Sequence, residues 1–199
     1  MKKVIFTVAA IFAFGFANAQ DKKVSTGEGF ANGDVFISGA VGFSSVKMGD
    51  AKSSSFEIAP KMGMFVTDKI AIGAKLGYSS DKAENAAGVE TLDNSTLSVG
   101  VFGRYYCHAS SKFSIFGNLG FDYWTTNHNL APEYKTNGFD LALSPGVSYF
   151  LNDHFAMEAS FGRLGYMTSK DDFDGAEATN SFDLELDLRS ISFGLVYKF

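Results

Sequence analysis

The chain has 199 residues, a formal net charge of -5 and a single cysteine, Cys107. An acidic balance offers nothing to a phosphate backbone, which excludes nucleic acid as a partner, and one cysteine cannot close an intramolecular disulfide. Beyond residue 19 no stretch approaches the roughly 18 consecutive apolar residues of a membrane helix, so any membrane crossing must be made by strands.

Lys2 and Lys3 precede an apolar run from Val4 to Phe16, and Ala17 Asn18 Ala19 places small residues where a signal peptidase reads. Residues 1–19 are therefore expected to be a cleaved secretory signal peptide. The cleavage site has no cysteine, so no lipoprotein anchor is expected. Residues 20–33 follow as an N-terminal segment, and 34–199 form one domain.

From residue 34 onward the chain alternates with a period of two. The alternation predicts eight strands, near 35–43, 56–66, 70–78, 97–106, 113–124, 139–150, 155–161 and 191–199. One face of these strands carries apolar residues, glycine, proline and tyrosine, without a charge. The other carries Glu57, Lys61, Lys75, Arg104, Asp122, Asp140, Glu158 and Lys198. A charge facing lipid at mid-membrane costs about 2–4 kcal/mol, whereas a lumen accepts charges that pair. Four acids and four bases on the inward face are expected to neutralise one another.

Connections alternate between short links (66–70, 107–113, 151–155) and polar stretches near 44–55, 79–96, 125–138 and 162–190, which are expected to be long outer loops. This alternation, with both termini on the side of the short turns, predicts an all-β, eight-stranded antiparallel up-and-down transmembrane β-barrel with residues 20–33 in the periplasm. Aromatic residues gather at both strand ends. Tyr105, Tyr106, Phe113, Tyr149, Phe150, Phe155, Tyr197 and Phe199 lie on the short-turn side, and Phe43, Phe56, Tyr78, Tyr123, Trp124 and Phe139 on the other, as two headgroup girdles would require. Glycines such as Gly63, Gly73, Gly100 and Gly146 point inward, where space is short.

Pro60, Phe65, Asp68, Ala71, Ala74 and Gly77 recur 85 residues later as Pro145, Phe150, Asp153, Ala156, Ala159 and Gly162, so a hairpin is repeated. Each proline lacks a ladder donor, and weak pairing or a bulge is expected at both. From Phe182 to Leu188 the apolar residues fall on even positions, and from Ile191 on odd ones. This phase change requires a bulge near Arg189 and Ser190 or a separate extension above the membrane; the second is favoured, with Asp183, Glu185 and Asp187 in water.

Ala59 Pro60 Lys61 Met62 Gly63 Met64 Phe65, the triplet Arg104 Tyr105 Tyr106 and the terminal Phe193 Gly194 Leu195 Val196 Tyr197 Lys198 Phe199 carry a family resemblance. In them the chain resembles the small outer-membrane β-barrel proteins of the OmpX-like and OmpA-barrel-like kind, often labelled porin family. The resemblance implies residence in the cell outer membrane and insertion by the barrel assembly machinery, which would read Tyr197 and Phe199. The chain ends with the barrel, so no peptidoglycan-binding domain is expected after it.

Chemistry-bearing groups are sparse. His108 and His154 fall in short turns and His128 in an outer loop, where solvated histidines are expected. His108 Ala109 Ser110 has the spacing found in lipid A deacylases, but on the membrane side opposite to theirs. Asp171, Asp172, Asp174 and Glu177 lack the spacing of a calcium loop. They are candidates for contact with an unknown extracellular ligand, or with lipopolysaccharide phosphates through a bridging cation. No catalytic, cofactor or metal site is predicted. The expected function is a monomeric barrel in contact with outer-membrane lipid and lipopolysaccharide, its lumen plugged by paired charges and its role structural or interactive through long acidic loops. The alternatives are a narrow porin-like diffusion channel and an outer-leaflet lipid-modifying enzyme.

Overall fold

A computed structural model describes residues 27–186 and 191–199. The described chain is all β, in ten elements: β1 (Val35–Met48), β2 (Ala51–Phe65), β3 (Ile70–Glu84), β4 (Glu90–Tyr106), β5 (Phe113–His128), β6 (Tyr134–Phe150), β7 (Phe155–Ser160), β8 (Arg163–Asp171), β9 (Thr179–Glu185) and β10 (Ser192–Lys198). Neighbours pair antiparallel from β1 to β6. Strand β6 then pairs with both β7 and β8, β8 with β9, β7 with β10, and β10 returns to β1. The halves β7/β8 and β9/β10 each fill one place in the wall, so the ten elements make a closed eight-stranded barrel.

The period-two pattern explains which side chains face where. On β4, Val99 and Val101 point out and are exposed, while Phe102, Arg104 and Tyr106 point in and are buried. The same division separates Ile115, Leu119 and Phe121 from Phe116 on β5, and Leu141 and Leu143 from Ser148 and Phe150 on β6. In lipid, every backbone donor and acceptor must be matched within the wall, which is why the sheet closes on itself.

The strands run well past the stretches predicted from alternation. Residues expected in long outer loops continue the hairpins, and the turns that join them are short: 49–50, 85–89, 129–133 and 172–178. Above the membrane both faces of a strand meet water, so the apolar/polar alternation that betrays a strand fades while the ladder persists.

Pairing lapses at both prolines. Between β2 and β3 the ladder runs through Ile58↔Tyr78 and resumes at Lys61↔Lys75, skipping Pro60. Beside Pro145 the partner strand of β6 breaks. Gly146 pairs with Ser160 but Leu143 with Leu164, a shift of one residue taken up at Phe161 and Gly162, where Gly162 adopts φ +72°. The bulge moves the outward phase from odd positions in β7 to even ones in β8.

Strand β9 differs from the expected extension above the membrane. Leu184 and Phe182 pair with Leu164 and Tyr166, which in turn pair with Leu143 and Leu141 of the lipid-facing band, so β9 continues the wall. Asp183 is consequently engaged by Arg163 and not left in water. The change of phase between β9 and β10 falls at 186–191; Asp187 and Arg189 lie outside the described residues.

Candidate functional site

The lumen has a closed end and an open end. At the short-turn end residues 27–33 fold back into the barrel, although the sequence offered them only as a segment preceding it. Phe30 is 1% exposed and sits among Phe36, Phe65, Tyr106 and Phe150, with ring centroids 4.6–5.5 Å away. Its backbone N–H donates to the Ala109 carbonyl at 2.6 Å, and Glu28 meets Lys112 at 2.6 Å, so the segment is also tied to a short turn. That bond holds the Lys112 ammonium above the ordinary lysine value. Gly29 has φ +106° and lies so close to Ser110 that a Cβ would strike its backbone.

Lys198, fully buried, completes the closure. Its Nζ donates to the carbonyls of Gly27 at 2.9 Å and Gly29 at 2.7 Å and lies 3.8 Å from Asp34. The C-terminal strand thereby clamps the N-terminal segment. Tyr197, on the outer side, packs edge-on against Phe155 and Phe199 at 5.0 Å, and the Phe199 N–H donates to Val35.

Next comes a layer of charge. The Arg104 Nη1 donates to Glu158 at 2.6 Å and its Nε to Asn118 at 2.9 Å, while the guanidinium lies over the Phe116 ring at 4.7 Å. Tyr106 shares the Glu158 carboxylate at 3.3 Å. Lys75 pairs with Asp122 at 2.5 Å. Asp140 pairs with Arg163, which also reaches Asp183 at 2.7 Å.

The expected self-neutralising set is therefore corrected in its membership. Asp140 finds Arg163, a residue predicted to lie in a loop, and Lys198 serves the N-terminal segment. Lys61 and Glu57 face inward without a direct ion pair among the described residues. Partner choice depends on strand stagger across the lumen, which alternation along one strand does not encode. The buried layer in the lumen is also more aromatic than predicted, because Phe30 came from outside the strand pattern and gave no periodic signal.

Toward the long hairpins the lumen opens into a cavity of about 480 Å3 on the inner side of β1 to β4. Its lining includes Ser44, Ser55, Glu57, Ser79, Asp81 and Ser98. Along β4 to β6, His128 hydrogen-bonds Asn94 through Nδ1 at 3.1 Å and Thr136 through Nε2 at 3.0 Å, and Thr136 donates to Asp171 at 2.6 Å. Thus His128, expected to be a solvated loop histidine, instead ties β4, β5 and β6 together, and Asp171 belongs to the same lattice. Asp172 accepts from the Lys135 backbone N–H at 2.7 Å, whereas Asp174 and Glu177 are exposed in the 172–178 turn. In the hairpin extension of β3 and β4, hydrogen bonds from Lys82 and Asn129 hold the Asp93 carboxyl below its ordinary value. No hydrogen bond joins His108 to Ser110 among the described residues, and Cys107 is exposed at a strand end.

A family model described as outer membrane protein beta-barrel domain matches residues 6–199. The chain belongs to that family. Its localisation is accordingly the outer membrane, and the outward apolar band meets lipid. Among solved structures the barrel is similar to the outer membrane protein OprG from Pseudomonas aeruginosa, at 20% identity and a TM-score of 0.55, covering 86% of this chain and 98% of that one. It is also similar to the N-terminal β-barrel domain of Pseudomonas aeruginosa OprF, at 12% identity and a TM-score of 0.50, covering 85% and 100%. At such identities the likeness concerns the fold. No curated protein matches the chain.

Proposed function

We propose that this outer membrane β-barrel is a non-conducting monomer that works as a structural and surface-interaction protein. The observation that carries the reading is the filled periplasmic half of the lumen. Phe30 and the rings around it occupy the width of the barrel, and the Arg104–Glu158 pair covers them. Eight strands leave an interior that side chains can fill, so aromatic and charged layers suffice to block it. The interacting parts are then the four hairpins that stand above the membrane, with Asp174 and Glu177 available to an extracellular ligand or to lipopolysaccharide. Tyr197 and Phe199 are the residues offered to the assembly machinery. A narrow diffusion channel would require the Phe30 layer to move aside.

The test is single-channel recording of detergent-refolded protein beside its mobility on gels with and without heating. A heat-dependent shift without steady conductance is the expected result. Reproducible conductance from the same folded sample would promote the channel reading.

A further inference from the structure

The upper cavity differs from the rest of the lumen in two independent ways. Elsewhere rings and charged side chains lie over the small inward residues and fill the bore: Phe36 and Phe102 over Gly63, Phe102 over Gly73, Asp122 over Gly100 and Phe116 over Gly146. Here β1 to β4 present Gly42, Ser44, Ser55, Gly77, Ser79 and Ser98, and a space of about 480 Å3 is left, within the range of small-molecule sites.

The second difference is electrostatic. Four other inward carboxylates have partners: Asp122 has Lys75, Glu158 has Arg104, and Asp140 and Asp183 have Arg163. Glu57 and Asp81 line the cavity and have neither an ion pair nor a side-chain hydrogen bond among the described residues. The ladder places Glu57 opposite Ser79 and Asp81 opposite Ser55, so the two acids are diagonal neighbours on adjacent strands, with Cα atoms about 7–8 Å apart. Two unmatched negative charges of this spacing share one hydroxyl-lined recess.

We infer that this cavity is a binding site for a small organic cation, an ammonium compound whose charge is met by Glu57 and Asp81 and whose remaining polar hydrogens are met by the serine hydroxyls. A metal ion is the poorer occupant. No group of three or more His, Cys, Asp or Glu able to hold one occurs among the described residues, and the space far exceeds an ion. The site goes beyond the proposed surface role, and it needs no open path through the barrel.

The probe is 1,4-diaminobutane, titrated calorimetrically into the detergent-refolded protein at low ionic strength, with 1,4-butanediol as its neutral isostere. Saturable binding of the diamine and none of the diol is expected, and the affinity should weaken as salt is added. The double variant E57Q/D81N should weaken binding at least tenfold. Gly42→Leu tests the cavity without touching charge. A Cβ at Gly42 meets only the Glu57 Cβ at 3.7 Å, so a side chain can grow into the recess and should also abolish binding. Asp174→Asn, a charge removed outside the cavity, should leave it unchanged. Each variant is first checked for the heat-dependent gel shift, so that loss of folding is not read as loss of binding. The inference is overturned if binding is absent, if it survives Gly42→Leu in folded protein, if Asp174→Asn weakens it as much as the double variant, or if equimolar calcium displaces the diamine.

Discussion

Arg104 shows how much one residue can carry inside a narrow barrel. It is buried, its charge is met by Glu158, and Asn118 and Tyr106 take further donors. A charge in such a place is tolerated because its partner is there. Glu158→Gln should therefore cost about 3–5 kcal/mol, since it leaves a buried guanidinium without its counter-ion. Replacing both, as R104M/E158L, should recover most of that loss. Unfolding by urea in lipid vesicles measures both, and equal losses for the single and double variants would remove the pair from the account. The sequence marked both residues as inward. It could not join them, because they are 54 positions apart and meet across the lumen.

The bulge at Phe161 and Gly162 is the feature that matters most among the elements. It lets one strand serve two registers along β6, bringing Arg163 inward beside Asp140. Gly162 is required by its positive φ, and a Cβ there would lie 2.8 Å from the Glu185 carbonyl. Gly162→Ala should therefore destabilise the barrel by more than the ~1 kcal/mol of an unfavourable φ alone. It should also loosen β8 and β9 while sparing β2 and β3, which hydrogen exchange resolves strand by strand. Uniform exchange across the wall would mean that the bulge is not a local hinge point for register. Pro145 had already indicated a lapse in pairing. Its location on the neighbouring strand, and the resulting rescue of 163–171 from loop to wall, appear only when the ladder is traced.

At the scale of the molecule, the two chain ends form a single closure. Phe30 fills the bore and Lys198 holds the carbonyls before it, so the N-terminal segment is held by the last strand. Phe30→Ala removes a fully buried ring and should lower stability by about 3–5 kcal/mol. The outer wall does not depend on that ring, so the variant should still show the heat-dependent gel shift. Its N-terminal segment should become open to added protease while the barrel resists. A segment equally protected in the variant would place the closing energy in Lys198 and the Glu28–Lys112 contact instead.

The sequence by itself determined the barrel. Alternation with an uncharged lipid face and a terminal aromatic strand leave few other ways to satisfy a backbone in a membrane, although Tyr106 and Phe150, expected in the short-turn aromatic girdle, are buried in the lumen around Phe30. It also offered eight charged residues for the inward face, because facing is a property of position along one strand, but it left Arg163, Asp183 and Asp81 in loops. Only the tertiary structure decided which charges meet, where the strands end above the membrane, and that Phe30 is buried among the lumen rings while Glu57 and Asp81 border a space. Those outcomes depend on the stagger and closure of strands far apart in the chain, and a pattern read one strand at a time contains no term for the distance across a lumen.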